Sequence, residues 1–381
     1  MNSVPALVAS VAYLAVLVSK VALAIRSARR AEKFSPCGFA DVTVLLPVVS
    51  GDPRLGEILR TSLRALDGAE FIWLVDEDDA PARELCAQLQ REFPSALTRI
   101  ALTPPPPDGH NPKLHKLAFV EREIRTRVVI VLDDDTAPTP AAGAALLGAL
   151  PRCELATGLP FYLDGPGIGT RLVTQFVNNQ AILTYLPLLA FHPPITINGM
   201  FYAMETAKLR ALGGFAPQVG HVTDDFAMAR LILNTGGRIE QTAEPHFIAT
   251  TVSDAGHYVR LMHRWFVFAS LLLRAQPLRW RFIILGLHGL PPLLLWLAFV
   301  ASLLAPDGRA WSALAALVIG RAAMILAVQR IVAGRTAHAP VLSLCAELLQ
   351  PFHLAHAACQ RTILWRRRRI RVRADDDFDY V

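Results

Sequence analysis

Charge is what this 381-residue chain has little of: 18% of its residues are Asp, Glu, Lys or Arg, against 53% hydrophobic. Soluble domains carry about 25% charged and about 45–50% apolar residues, so the balance leans toward a membrane and excludes intrinsic disorder. Cysteine is scarce as well. Cys37, Cys86, Cys153, Cys345 and Cys359 are scattered through the chain, which excludes a disulfide scaffold, and without a CxxC pair there is no zinc-ligand spacing. They read as reduced thiols in a cytosol-facing protein. No glycine-rich loop follows the first strand candidate, which argues against a dinucleotide or P-loop site. Internal repeats are absent too. The formal net charge of +6 points to nucleic acid, acidic lipid or an anionic small substrate, and the positions of the charges decide among these.

Residues 4–25 form an apolar run, long enough to cross a bilayer, which takes about 20 helical residues. Its one charge, Lys20, is near the end, where a long side chain can snorkel to the interface. Arg26, Arg29, Arg30 and Lys33 follow and no charge precedes, which places the N-terminus outside and the next segment in the cytoplasm. Ala22-Leu23-Ala24 resembles a signal cleavage site, but a signal peptide carries its positive charge in front, so a retained anchor is the stronger reading. A second span covers residues 282–305, with Pro291-Pro292 expected to kink it, and a third covers 311–332 after the turn Pro306-Asp307-Gly308. Arg321 lies inside the third span, where charge is expensive, and is expected to face protein or water. Residues 340–365 are apolar but broken by Glu347, His353, His356 and Gln360. If they crossed, the run Arg366 to Arg369 would land outside, so an amphipathic helix in the cytoplasmic interface is expected. The basic tail would then sit on anionic lipid head groups, at about 1 kcal/mol per charge. Membrane topology thus accounts for much of the net charge, and no nucleic-acid partner is needed.

Between the hydrophobic ends, Val42–Val48, 71–75, 98–102 and Val128–Leu132 are strand candidates, and residues 55–66, 81–93 and 114–125 between them have helical spacing. That alternation predicts an α/β domain with a mostly parallel sheet. The expected organisation is an N-terminal membrane anchor (1–33), a cytoplasmic α/β domain (40–275), two transmembrane helices (280–335), and an interfacial helix with a basic and acidic tail (340–381).

Ligands of open α/β sheets bind beyond the carboxyl ends of the strands. Two strand candidates run directly into acids: 71–75 into Asp76-Glu77-Asp78-Asp79, and Val128–Leu132 into Asp133-Asp134-Asp135. Crowded carboxylates repel and call for a cation or hydrogen-bond donors. Asp133 and Asp135, at i and i+2, can share a hard cation such as Mg²⁺ or Mn²⁺, which would neutralise a diphosphate. An exposed acidic turn is the plainer alternative. Lys113 of Asn111-Pro112-Lys113, with Lys116, offers positive charge for phosphates, or is a solvated lysine. Asn198-Gly199-Met200 and Gly213-Gly214-Phe215 look like pocket walls and could equally be core. Asp224-Asp225-Phe226 opens a helical pattern: one acid is expected as N-cap, leaving the other as a candidate general base. Arg264-Trp265 lies just before the second span, where substrate from the bilayer would arrive, or serves as an interface anchor.

These pieces, in this order, resemble the family 2-type glycosyltransferases of GT-A fold, most closely the ceramide glucosyltransferase branch with its bacterial hopanoid-associated relatives. The likeness covers nearly the whole chain. The family's nucleotide-binding Asp falls on Asp79, beside Asp78; its NPK tripeptide on Asn111-Pro112-Lys113; and its DxD-like acids on Asp133 and Asp135. Its GLPY segment is matched by Gly158-Leu159-Pro160-Phe161, its base by Asp225 in Asp224-Asp225-Phe226, and its closing [Q/R]xxRW by Leu261-Met262-His263-Arg264-Trp265. Two departures stand out: Leu261 replaces the usual Gln or Arg, and Leu46-Pro47 replaces Lys-Pro. The resemblance implies a membrane-bound inverting hexosyltransferase, of bacterial inner-membrane type, with its catalytic domain facing the cytoplasm. It implies a UDP-linked donor held by Asp78, Asp79, Lys113, Asp133, Arg264 and Trp265, a divalent cation on Asp133 and Asp135, and Asp225 as the base. The acceptor would be a lipid hydroxyl, ceramide- or hopanoid-like. A polyprenyl-phosphate transferase, a polysaccharide synthase and an inactive membrane scaffold are the rival readings.

Overall fold

The computed structural model describes residues 3–35, 38–305, 307–366 and 368–381; Cys37, Pro306 and Arg367 lie outside them. The chain divides into two units. One comprises Ala31–Gly165, His192–Thr251 and Trp365–Val381, the other Met1–Arg30, Pro166–Phe191 and Val252–Leu364.

The first unit is built on one sheet of β1 (Val42–Val48), β2 (Glu70–Asp76), β3 (Thr98–Thr103), β4 (Val128–Leu132), β5 (Thr136–Ala137), β6 (Leu155–Tyr162), β7 (Phe201–Glu205) and β8 (Ile239–Ile248). Their order is β3-β2-β1-β4-β7-β6-β8-β5. Pairs β1–β2, β2–β3, β1–β4 and β6–β8 are parallel; β4–β7, β6–β7 and β5–β8 are antiparallel. Strands β1, β2 and β4 read as solid apolar runs because both faces are covered, whereas β3, at the sheet edge, is only partly buried. Along β4, Val128, Ile130 and Leu132 enter one core with Val44, Leu46 and Trp73. Val129 and Val131 enter the other, with Leu45, Ile72 and Leu74.

The chain winds outward from β1 through β2 to β3, then returns to the other side of β1 as β4. That reversal is the topological switch point where such sheets leave a crevice beyond their carboxyl ends. β7 runs against β4 with Phe201 opposite Leu132, so residues 198–200 arrive beside Asp133. A strand β9 (Thr362–Trp365) is followed by an antiparallel hairpin of β10 (Arg368–Ala374) and β11 (Asp377–Tyr380). The tail expected to lie on lipid head groups is therefore folded. Arg366 pairs with Asp134, Arg373 with Asp377 and Asp379, and Arg368 lies over the Tyr380 ring.

Among the described residues, the second unit contains three helices long and apolar enough to cross a membrane, Val4–Arg30, Leu278–Leu304 and Gly308–Ala333. The second span is irregular before its proline pair: Leu285–Gly289 forms a π-turn, and Pro291-Pro292 sit in the first turn of the α-helix Leu290–Leu304. That irregularity changes the expectation for Lys20. It is 4% exposed and donates to the Leu287 carbonyl at 2.9 Å, so it is held inside the unit rather than snorkelling. A π-turn loosens the helical ladder and leaves a carbonyl to satisfy.

Arg321 faces protein, as expected, and is 1% exposed. Its guanidinium pairs with Glu347 at 2.7 Å and donates to the Tyr13 hydroxyl at 2.9 Å and the Ser343 hydroxyl at 2.8 Å. Tyr13 donates in turn to Glu347. Residues 340–365 are not one amphipathic helix but two short ones, Pro340–Leu348 and Gln350–Cys359, followed by β9. Glu347 and His353 point inward, while Val341, Phe352 and Leu354 are exposed. The acid that broke the apolar run is there to partner Arg321.

Candidate active site

Three loops meet beyond the carboxyl ends of β1, β2 and β4, and backbone amides fix their acids. At the end of β1, the Val49 amide donates to Asp134 and the next amide, Ser50, donates to Asp79, both at 2.9 Å. Asp79 also caps the helix Ala80–Glu92, accepting from Ala82 at 3.2 Å. Each of its carboxylate oxygens thus accepts one backbone amide and it is buried, while Asp78 next to it is exposed. Lys116 is buried as well, and ties Asp76 at 3.0 Å to the β1 and β2 ends through the Val48 and Leu74 carbonyls.

Asn111 caps the helix Pro112–Val120 through the amides of Lys113 and Leu114. Its own amide group donates to the Val222 carbonyl at 3.1 Å, which pins that helix beside the segment leading to Asp224. The geometry explains why Asn, Pro and Lys occur together: a cap, a first-turn residue with fixed φ, and then the charge. Lys113 is placed where it pairs with Asp133 at 2.6 Å and Asp224 at 2.9 Å, and donates to the Gly199 carbonyl at 2.7 Å. It is not a solvated surface lysine. Burial alone would lower its pKa, but Asp133 and Asp224 together hold it well above the ordinary lysine value.

The three acids after β4 have different surroundings. Asp134, the middle one, is 6% exposed and is held by Val49 and by Arg366 at 2.7 Å. Asp135 accepts from the Thr250 hydroxyl at 2.7 Å, and its carbonyl accepts from the Ala249 amide. Asp133 shares Lys113, and its amide donates to the Met200 carbonyl at 2.9 Å. Burial raises all three carboxyls; that of Asp133 is pushed up to about 6, with Asp135 and Asp224 adding to the rise against Lys113. Among the described residues no group of three or more His, Cys, Asp or Glu is arranged to hold a metal. Yet Asp133 and Asp135 are half-buried and crowded, and the Lys113 and Arg366 charges beside them leave both carboxyls still raised by burial. Two carboxylates of that kind suit a hard divalent cation that completes its shell with water and phosphate oxygens.

Asp224 and Asp225 open the helix Asp224–Asn234, and neither is its N-cap. Thr223 holds that position, without a side-chain capping bond. Both acids lie in the first turn, where the helix dipole favours negative charge. Asp225 is half-buried and accepts from the Phe226 amide at 2.7 Å. Burial, then the Asp224 charge, push its carboxyl up to about 7 against the Phe226 amide and Lys113. Gly199 is required by closeness: a Cβ there would lie 3.0 Å from the Asp225 Cβ and 3.3 Å from Asp224 Oδ2. Asn198 accepts from the Met200 amide at 2.9 Å, fixing this turn as site wall rather than core. Gly214 and Phe215 instead pack against Glu121, which accepts from the Phe215 amide at 2.6 Å.

One cluster therefore gathers Lys113, Asp133, Asp135, Asp224, Asp225 and Gly199, with Asp79 and Asp78 on the neighbouring loop. Arg264 and Trp265 belong to the other unit, on the helix Ala255–Ala275, where Trp265 stacks on Phe176 with ring centroids 6.1 Å apart. Leu261, at the departure from the closing motif, is buried in that unit's core. Sequence reasoning gave no role in this site to Asp134, Thr250, Arg366 or Asp375; Arg366 was expected on lipid head groups. The signal for the last two was the period-two alternation Arg369-Ile370-Arg371-Val372-Arg373, which marks a strand.

A model of glycosyl transferase family 21 matches residues 4–377. Among solved structures, the mannosyltransferase PcManGT from Pyrobaculum calidifontis, in complex with GDP-Man and Mn²⁺, superposes with a TM-score of 0.55 at 16% identity, covering 94% of this chain and 98% of that one. At that identity the likeness is one of fold, and it extends over both units. GalNAc-T7 with UDP, GalNAc and Mn²⁺ matches more loosely, with a TM-score of 0.42 at 12% identity, covering 60% of this chain and 48% of that one.

Proposed function

The chain belongs to glycosyl transferase family 21, and from that premise we propose that it is a membrane-bound inverting enzyme that moves a hexose from a UDP-linked donor to the hydroxyl of a membrane lipid, ceramide- or hopanoid-like. The observation that carries this reading is the Lys113 bridge. One ammonium holds Asp133, on the diphosphate side, and Asp224, next to the proposed base. Donor and acceptor chemistry are thereby brought to one point.

Asp133 and Asp135 would hold Mg²⁺ or Mn²⁺, which when bound neutralises the diphosphate and stabilises it as leaving group. Lys113 contributes positive charge next to it. Asp78 and the loop fixed by Asp79 face the nucleoside. The Asp225 carboxylate takes the proton of the acceptor hydroxyl as that oxygen bonds to the anomeric carbon; the bond to the diphosphate oxygen breaks on the opposite face, and UDP departs. A base held near pKa 7 is matched to proton transfer at neutral pH.

Three spanning helices and the basic residues after the first of them support an integral membrane enzyme whose catalytic unit faces the cytoplasm. Arg264 and Trp265, on the helix Ala255–Ala275 ahead of the second span, are the motif residues this reading assigns to donor and acceptor binding. The test is incubation of the purified protein with Mn²⁺, labelled UDP-hexoses and lipids carrying free hydroxyls. A labelled lipid with inverted anomeric configuration supports the proposal. Label on polyprenyl phosphate or in polymer alone would replace the acceptor, and label nowhere would overturn the reading.

A further inference from the structure

The C-terminal hairpin touches the proposed site at three separate loops. Arg366, just ahead of it, reaches Asp134 between the two proposed metal ligands, at 2.7 Å. Asp375, at the turn between β10 and β11, receives the Thr223 amide at 3.0 Å and the Thr223 hydroxyl, its backbone carbonyl receives the Val222 amide at 2.7 Å, and its other carboxylate oxygen faces His221 Nδ1 at 3.1 Å. These are the residues immediately before Asp224. Tyr380, at the end of β11, donates its hydroxyl to the His110 carbonyl, one residue before the Asn111 cap that places Lys113.

Each contact thus lands within three residues of a group assigned to donor binding or proton transfer. Asp375 and Asp134 are buried, so each contact is anchored on a buried acid, although the Arg366 side chain is itself 45% exposed. Arg366 also holds φ at 55°, a left-handed conformation uncommon for a residue with a Cβ, and one that persists where its surroundings dictate it.

We propose that Arg366, Asp375 and Tyr380 form a strap that sets the geometry of the donor site, with Arg366 as the positioning residue for the Asp133–Asp135 metal loop. Asp134 is occupied by Val49 and Arg366, which leaves Asp133 and Asp135 as the ligand pair and fixes the turn between them. Asp375 does the same for the start of the Asp224–Asn234 helix. The strap is supplied by residues 366–380, beyond the last hydrophobic segment, so the donor site takes its geometry once that hairpin has docked.

This inference rests on the proposed donor site, and its test separates the two. Full-length wild type, Arg366→Gln, Arg366→Lys and Tyr380→Phe are compared for Mn²⁺ binding by electron paramagnetic resonance, for UDP binding in the presence of Mn²⁺, and for amide exchange. A partner bonded directly to a ligand is worth about 10–100-fold in metal affinity; Arg366 acts one residue removed, through Asp134, and Arg366→Gln is expected to lose Mn²⁺ affinity by about 10-fold, the lower end of that range, even though it removes a positive charge beside the site. It should also expose the Val49 and Thr136 amides to exchange. Arg366→Lys should recover much of the affinity, which a role in general folding would not predict. Tyr380→Phe removes one hydroxyl only, remains informative if the Gln variant does not fold, and should speed exchange at the Asn111, Lys113 and Leu114 amides. Unchanged Mn²⁺ affinity and unchanged exchange at 49, 136, 111, 113 and 114 would overturn the strap while leaving the donor site intact. If the wild type binds neither Mn²⁺ nor UDP, the donor-site reading fails, and the exchange measurements still decide whether the strap orders these loops.

Discussion

Replacing Lys113 by Met keeps most of the apolar stem, one atom shorter, and removes the charge together with the hydrogen bond to the Gly199 carbonyl. In the native site that charge faces Asp133 at 2.6 Å and Asp224 at 2.9 Å, with the lysine side chain 12% exposed and its partners 27% and 14%. Removing one partner of a buried ion pair costs about 3–5 kcal/mol, because the other charge is left desolvated and alone. Asp133 retains some access to water, so the lower end applies: about 3 kcal/mol, or a melting point lower by roughly 6–12 °C for a unit of this size. The cost depends on pH in a defined direction. Asp133 is already pushed up to about 6 with the lysine present, against about 3.9 in an unfolded chain, and losing the ammonium raises it further. A carboxyl that titrates higher folded than unfolded favours the folded state as pH falls and disfavours it as pH rises through that window. The deficit should therefore be largest near pH 8 and shrink toward pH 5.5, where the carboxyl takes up a proton. Tryptophan-fluorescence melts in detergent, without metal or nucleotide, follow it through Trp73 in the core of that unit. A deficit equal at both pH values, or below about 1 kcal/mol, would refute the bridging role; 1 kcal/mol is the upper range for an exposed pair.

The proposed base gives a second expectation: Asp225→Asn should lower turnover by about 10²–10⁴-fold, the usual contribution of a general base, with UDP binding unchanged by equilibrium dialysis. Because burial and then Asp224 hold the Asp225 carboxyl near 7, kcat/KM should rise with pH through that region as the base deprotonates. Asp224→Asn should move the rise to lower pH, and a profile that does not move would remove Asp224 from the account. Gly199→Ala places a methyl 3.0 Å from the Asp225 Cβ and should reduce kcat more than it changes donor KM, as steady-state kinetics on the purified protein would resolve. In the membrane-spanning unit, Glu347→Gln should lower thermal stability in detergent by about 3–5 kcal/mol, while Glu347→Leu combined with Arg321→Met should recover most of the loss, since it is the unpaired buried charge that is costly.

The parts of the fold that could be read from residues were those with strong local patterns. The apolar runs at β1, β2 and β4 announce strands covered on both faces, and three long apolar helices need no tertiary information to be recognised. The acids after β2 and β4 mark the edge at which ligands bind. What could not be read depends on where the chain folds back. Asp134 looked equivalent to its neighbours, and only its neighbours in space, Val49 and Arg366, set it apart. Glu347 read as a break in an amphipathic segment because its partner Arg321 is on another helix. That Asp79 ties the Ser50 amide to the start of the Ala80–Glu92 helix depends on β1 and β2 lying side by side, which its own segment does not reveal. Thr223, not either aspartate, caps the Asp224–Asn234 helix, which leaves both acids to face Lys113 and Gly199. The basic tail was taken for a lipid contact by its charge count, although its alternation of Arg with Ile and Val carried the hairpin.

Comparing lipid extracts by mass spectrometry, from cells with and without the protein and from cells making Asp225→Asn at equal abundance, tests the account most directly. The account predicts a lipid heavier by one hexose that appears with the wild type and is absent with the variant. An unchanged lipid profile with the wild type, or the same glycolipid made by Asp225→Asn, would contradict it.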